Sequence, residues 1–153
     1  MLQRNINVCL GTDGAASNNC LDMFREMFLV TGLAKYKTCD ASAVDAYKVL
    51  KMATVNGAKA LDLNCGVLEA GKLADLIILD LHQPNMQPIH NIAKNIVYSG
   101  SKVNVKCTMV NGEILYEDGR FYVGFDIESL YNEVQRRVDS LIRSYNFRKE
   151  AEI

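Results

Sequence analysis

Residues 9–24, CLGTDGAASNNCLDMF, constrain the fold more than any other stretch, because strand-forming residues here deliver a carboxylate into a glycine-flanked turn and then into a helix. Ile6, Val8 and Leu10 alternate with Asn5, Asn7 and Cys9 up to Gly11, the period-two pattern of a short strand. Asp13 follows at its C-terminal edge. Gly11 and Gly14 on either side allow a sharp turn or a positive φ. Asn18 or Asn19 can cap a helix from residue 20 to about residue 33 by accepting from its free N–H groups. In α/β enzymes the C-terminal ends of strands are where catalytic groups are placed. By composition alone, an Asp between two glycines is a turn residue that hydrogen-bonds its own backbone.

The helix after Asn19 carries Leu21, Phe24, Met27, Phe28 and Leu33 three and four apart, which reads as a core face. Residues 35–40 are polar and end in Asp40, a capping candidate. Val44, Tyr47, Val49, Leu50 and Met52 then predict a second helix. Thr54 can cap a third, short one, in which Gly57, Ala58 and Ala60 keep side chains small for close packing. From Gly66 the period changes to that of strands. Residues 73–81, LADLIILDL, read as a buried strand with Asp75 and Asp80 near its ends, and Pro84 and Pro88 mark a loop. Residues 103–110 and 113–116 flank Asn111-Gly112, the strongest two-residue hairpin signal, and Asp118-Gly119 makes a second turn before residues 120–123. A small antiparallel sheet follows, with Gly66, Gly71, Gly112 and Gly119 as turn glycines. Residues 126–149 place Ile127, Leu130, Tyr131, Val134, Val138, Leu141, Ile142 and Tyr145 along one helical stripe, with Arg136, Arg137 and Arg143 on a solvated face.

Composition narrows the function classes. A chain of 153 residues, 49% hydrophobic and with a net charge of −1, can fill one domain core and has no electrostatic footprint for nucleic acid. No apolar run approaches the roughly 18 residues of a membrane span, and the first ten residues hold too short an apolar core for a secretory signal. The five cysteines, Cys9, Cys20, Cys39, Cys65 and Cys107, are odd in number and widely spaced, which fits free thiols in a cytoplasmic protein better than a disulfide framework. The absence of a Cys-x-x-Cys pair argues against a zinc knuckle and the cytidine-deaminase type of zinc site. No nucleophile elbow, Walker loop or GxGxxG occurs.

Several motifs in one order carry a resemblance. Residues 11–19, GTDGAASNN, followed by Leu21-Asp22-Met23-Phe24, resemble the last-strand signature of the metal-dependent amidohydrolases. They are most similar to the branch that deaminates S-adenosylhomocysteine and 5′-methylthioadenosine and includes the chlorotriazine hydrolases. Met52-Ala53-Thr54 with residues 56–61, NGAKAL, is similar to the family's helix-pair motif. Residues 68–77, LEAGKLADLI, resemble its entry into a small β-domain, and Asn95-Ile96-Val97-Tyr98-Ser99 and Val110-Asn111-Gly112 continue the match. The resemblance covers roughly residues 5–122.

What it implies is an α/β chain corresponding to the C-terminal segment of a TIM-barrel amidohydrolase. The last barrel strand, acidic loop and outer helices would occupy residues 1–64. Part of a small antiparallel β-sandwich domain would occupy residues 65–83 and 101–124, a connecting segment with a short helix residues 84–100, and a C-terminal helix residues 125–153. Whether Met1 is a true start or a truncation stays open. The implied activity is hydrolytic deamination of an adenosine-type nucleoside by a water that a divalent metal, zinc before others, makes nucleophilic. Asp13 is then the last-strand carboxylate that contacts the metal and takes the proton, and Ser17, Asn18 and Asn19 help shape the substrate pocket. The family holds its metal mainly with histidines. The two here, His82 and His90, match a peripheral stretch and read as surface residues. One carboxylate falls short of the three protein ligands that a catalytic zinc typically takes, so the isolated chain is expected to be inactive and to bind no stoichiometric metal. The alternative is a non-catalytic folded or assembly module that completes a partner chain. Partners are a small molecule, with S-adenosylhomocysteine, methylthioadenosine, guanine-like bases and chlorotriazines all open, and a second copy of the chain, since uncovered apolar faces favour self-association. Neither nucleic acid nor membrane is expected.

Overall fold

The computed structural model describes residues 4–151, a mixed α/β chain in two units, Met1–Gly119 and Arg120–Ile153. In the first unit, α1 (Met23–Thr38) starts at Asp22, whose carboxylate accepts from the Phe24 N–H at 2.9 Å. It buries Phe24, Met27 and Thr31, one stripe at i, i+3 and i+7. Both ends differ from the sequence expectation. Asn18 is not the cap: its side-chain oxygen accepts from the Cys20 N–H in a turn before the helix. The polar residues after Leu33 continue the helix because Lys35 and Lys37 in its last turn complement the dipole, and it stops where Cys39 turns left-handed at φ 51°. Of the expected face, Leu21, Phe28 and Leu33 are exposed.

The next helix, α2 (Ala46–Ala53), is capped by Asp45, which accepts from the Tyr47 N–H at 2.8 Å, and it buries Ala46, Val49 and Met52. Asp40, the cap candidate, instead accepts from the Ser42 N–H and hydroxyl. Thr54 stands at the N-cap position of α3 (Val55–Ala60), but its hydroxyl donates back to the Leu50 carbonyl. Gly66 closes onto α3 at φ +86°, where a β-carbon would lie 2.9 Å from both Ala58 Cβ and Val55 Cα, so only glycine fits. Asn91 caps α4 (Ile92–Tyr98) by accepting from the Lys94 N–H. Phe24, Met27, Val44, Ala46, Val49 and Val97 form one buried cluster where α1, α2 and α4 meet.

Residues 5–10 are not a strand. A strand needs a neighbour, and no strand among the described residues pairs with them. They are pinned to the helices instead. The Leu10 N–H donates to the Met52 carbonyl at 2.9 Å, Asn56 donates to the Val8 carbonyl at 2.8 Å, and Asn7 donates to the Asn56 carbonyl.

The sheet runs antiparallel through β1 (Leu76–Leu79), β2 (Val105–Val110) and β3 (Glu113–Glu117), with Ile78 opposite Cys107 and Thr108 opposite Tyr116. Asn111 and Gly112 both take positive φ, as the hairpin signal requires. Asp75 accepts from the Asn111 N–H at 2.7 Å and ties that turn to β1. The strand in residues 73–81 is shorter than expected and not buried. Among the described residues it pairs on one side only, and Ile77 and Ile78 are each about half exposed. Between β1 and β2, a 3-10 turn at Pro84–Met86 and a cis Gln87–Pro88 bond lead into α4. Asn104, fully buried, holds this region together. Its oxygen accepts from the Ser101 N–H and the Asn85 amide, and its own amide donates to the Asp80 carbonyl.

The second unit contains β4 (Arg120–Phe121) and α5 (Ile127–Ala151), which Asp126 caps by accepting from the Ser129 N–H. Its stripe from Leu130 to Tyr145 is exposed or half exposed, and Glu133 pairs with Arg136 and Arg137 one turn on. No helix of the described residues is long and apolar enough to cross a membrane.

Removing the Asn104 side chain strips partners from buried polar groups, so Asn104→Ala is expected to cost about 3 kcal/mol in urea unfolding. Loss of the half-buried α4 cap in Asn91→Ala is expected to cost only about 1 kcal/mol. The reverse ranking would show that the Asn104 network does not organise the region.

Candidate functional site

The loop between residue 10 and α1 places Asp13 at φ 58°, in the left-handed region that Asp and Asn tolerate better than other residues with a β-carbon. The sequence allows Gly11 and Gly14 a sharp turn or a positive φ; neither takes the positive φ, and the carboxylate residue itself does. The conformation is braced locally. Asp13 Oδ1 accepts from the Gly14 N–H at 2.6 Å, and the Thr12 hydroxyl donates to the Asp13 carbonyl at 3.1 Å. The Ser17 and Asn18 N–H groups both donate to the Gly14 carbonyl, at 3.0 and 2.9 Å.

Asp13 is exposed, and the Gly14 N–H, seconded by the Ser17 hydroxyl, holds its carboxyl below the usual carboxylate range. Donors that favour the charged form keep a carboxylate ready to bind a cation or accept a proton. Ser17 and Asn19 are exposed on the same loop. Asn18 is partly buried, and its amide donates to the Thr12 carbonyl at 2.8 Å and to Glu26 Oε1 at 3.0 Å. No periodicity or motif spacing marks Glu26 as a partner of this loop. The only sequence signal is an acidic residue in the first turn of a helix. Beside the loop lies an open cleft of about 520 Å³, lined by Asn18, Phe24, Arg25, Phe28 and Leu29 among others; Asp13 does not line it.

His82 and His90 are exposed, and the His82 N–H is engaged by Asp80. Among the described residues no group of three or more His, Cys, Asp or Glu side chains could hold a metal ion. The donor set around Asp13 is therefore a single carboxylate, which does not fit a catalytic zinc by itself. All five cysteines are free.

Residues 1–115 match the model of the amidohydrolase family. The chain is 44% identical over 146 residues to a 5′-deoxyadenosine deaminase of Methanosarcina mazei, covering 95% of this chain and 34% of that protein. It is 50% identical over 115 residues to a 5-methylthioadenosine/S-adenosylhomocysteine deaminase of Thermococcus sibiricus, covering 75% of this chain and 27% of that protein. The crystal structure of a zinc-bound adenosine deaminase from Xanthomonas campestris superposes with a TM-score of 0.87 at 34% identity, over 93% of this chain and 33% of that one. The chain thus spans about a third of the length of the curated relatives it matches.

The Gly14 N–H is the larger influence on Asp13 and the Ser17 hydroxyl the smaller. A carboxyl depressed on folding stabilises the native state above its unfolded pKa, and that contribution is lost as pH falls through the folded value. Ser17→Ala is therefore expected to raise the Asp13 midpoint only part of the way to an ordinary aspartate in a carboxyl-carbon NMR titration. An unchanged midpoint would remove Ser17 from the site.

Proposed function

Because the chain belongs to the amidohydrolase family, we propose that it forms part of a hydrolase acting on C–N bonds, one that deaminates an adenosine-type nucleoside. The observation that carries this reading is the Asp13 loop, an exposed carboxylate braced in a left-handed turn and kept ionised by its neighbours. Asp13 is the proton acceptor and the one metal ligand that this chain contributes, and Ser17, Asn18 and Asn19 form the rim beside it. The metal is a divalent ion, as in the zinc-bound Xanthomonas protein, and its remaining ligands come from residues outside this chain. On this reading residues 1–64 carry the last barrel strand and its outer helices. Residues 5–10 gain the strand neighbours they lack here, and residues 65–83 and 101–124 belong to a small β-domain.

A carboxylate in this role supplies general-base assistance, whose loss typically slows a reaction by about 100-fold or more. A second reading, a non-catalytic module that completes a partner chain, is supported by the exposed Phe28, Leu29 and Leu33 on α1 and by the unpaired edge of β1.

The test is ammonia release from 5′-deoxyadenosine, 5′-methylthioadenosine and S-adenosylhomocysteine with zinc present. The chain alone is expected to show no turnover. Joined to the segment of the Methanosarcina enzyme that precedes the matched region, it is expected to deaminate at least one of the three, with kcat falling about 100-fold or more in Asp13→Asn. A joined protein that binds zinc yet turns over none, or whose activity survives Asp13→Asn, would contradict the assignment and favour the second reading.

A further inference from the structure

We propose that Asn18 is a positioning residue for Asp13, anchored by Glu26 of α1. It deepens the functional reading above, because it names what holds the reacting carboxylate in place. The Asn18 amide has two hydrogens and both are engaged, one with the Thr12 carbonyl at 2.8 Å and one with Glu26 Oε1 at 3.0 Å. Its oxygen accepts from the Cys20 N–H at 3.1 Å, which fixes the side chain's own orientation. The Thr12 carbonyl belongs to the peptide plane that carries the Asp13 N–H. Restraining that plane restrains rotation about the Asp13 N–Cα bond, the rotation held at φ 58°. The left-handed state is intrinsically unfavourable for a residue with a β-carbon, so an external tie is what keeps it populated.

The anchor is firm for a reason that lies in the core. Glu26 sits in the first turn of α1, where a negative charge is favoured. Its neighbours along the helix, Phe24 and Met27, are buried in the cluster where α1, α2 and α4 meet. Asn18 thus links a packed helix to a loop whose other bonds run within its own backbone and short side chains among the described residues.

The isosteric Asn18→Asp keeps the shape, loses both donors and sets a carboxylate against Glu26. In this chain, φ-sensitive NMR couplings of Asp13 are expected to lose their positive-φ signature in Asn18→Asp. Exchange of the Gly14 amide is expected to rise about fivefold, the loss of one ordinary hydrogen bond. Glu26→Gln, which keeps an acceptor, is expected to behave as wild type, and Glu26→Ala to fall between. Should Asn18→Asp fail to fold, Glu26→Ala decides. An Asp13 that keeps its positive φ and a Gly14 amide that keeps its exchange rate in the folded variants would overturn the proposal. In the joined deaminase, Asn18→Asp is expected to lower kcat about fivefold or more with little change in KM. A shifted Asp13 with unchanged kcat would sustain the positioning role and overturn the reading of Asp13 as the reacting group.

Discussion

The buried cluster that α1, α2 and α4 share is the constraint on which the first unit depends. Val49, with no exposed surface, and Val97 close it from two helices, and Phe24 and Met27 close it from α1. Gly100 makes the approach possible, since a β-carbon there would collide with the Ile96 carbonyl and press on the Phe24 ring. Everything around the candidate site hangs from these helices. Residues 7–10 hydrogen-bond to the end of α2 and the start of α3, and the Asp13 loop enters α1 through Asp22 and is tied to it by Asn18 and Glu26.

How much of this was legible in the sequence follows from which features are local. The Asn111-Gly112 turn, the turn glycines at 66, 71, 112 and 119, which all take positive φ, and the helix that follows Asp126 are set by a few adjacent residues, and the structure has all of them. Caps were harder, because several Asn and Asp residues compete near each helix start. Asp22 and Asp45 take the caps, while Asn18 and Asp40 hold the turns before them. Residues 5–10 and 73–81 misled for a different reason. Their patterns describe strands with neighbours or covered faces, and what a strand becomes depends on elements far away in sequence.

The carboxylate of Asp13 was legible as a site only through the resemblance of its flanking motif; composition favours a turn residue. The turn description is the one seen directly. Asp13 makes the turn bond to the Gly14 N–H, and that bond keeps its carboxyl ionised. The left-handed φ falls on the candidate carboxylate and not on its glycines, a placement common where backbone strain serves a site. Glu26 stayed hidden because its link to the loop runs through a side-chain amide eight residues away.

On the function proposed above, a single carboxylate, exposed apolar positions on α1 and a half-paired β1 belong to one portion of a larger catalytic structure. The DNA immediately upstream of the Met1 codon tests this most directly. If the Asp13 loop completes a barrel site within one polypeptide, the frame runs on for about 250–300 residues, a full barrel's worth, and encodes a His-x-His. A stop codon and ribosome-binding site directly before Met1 would contradict it.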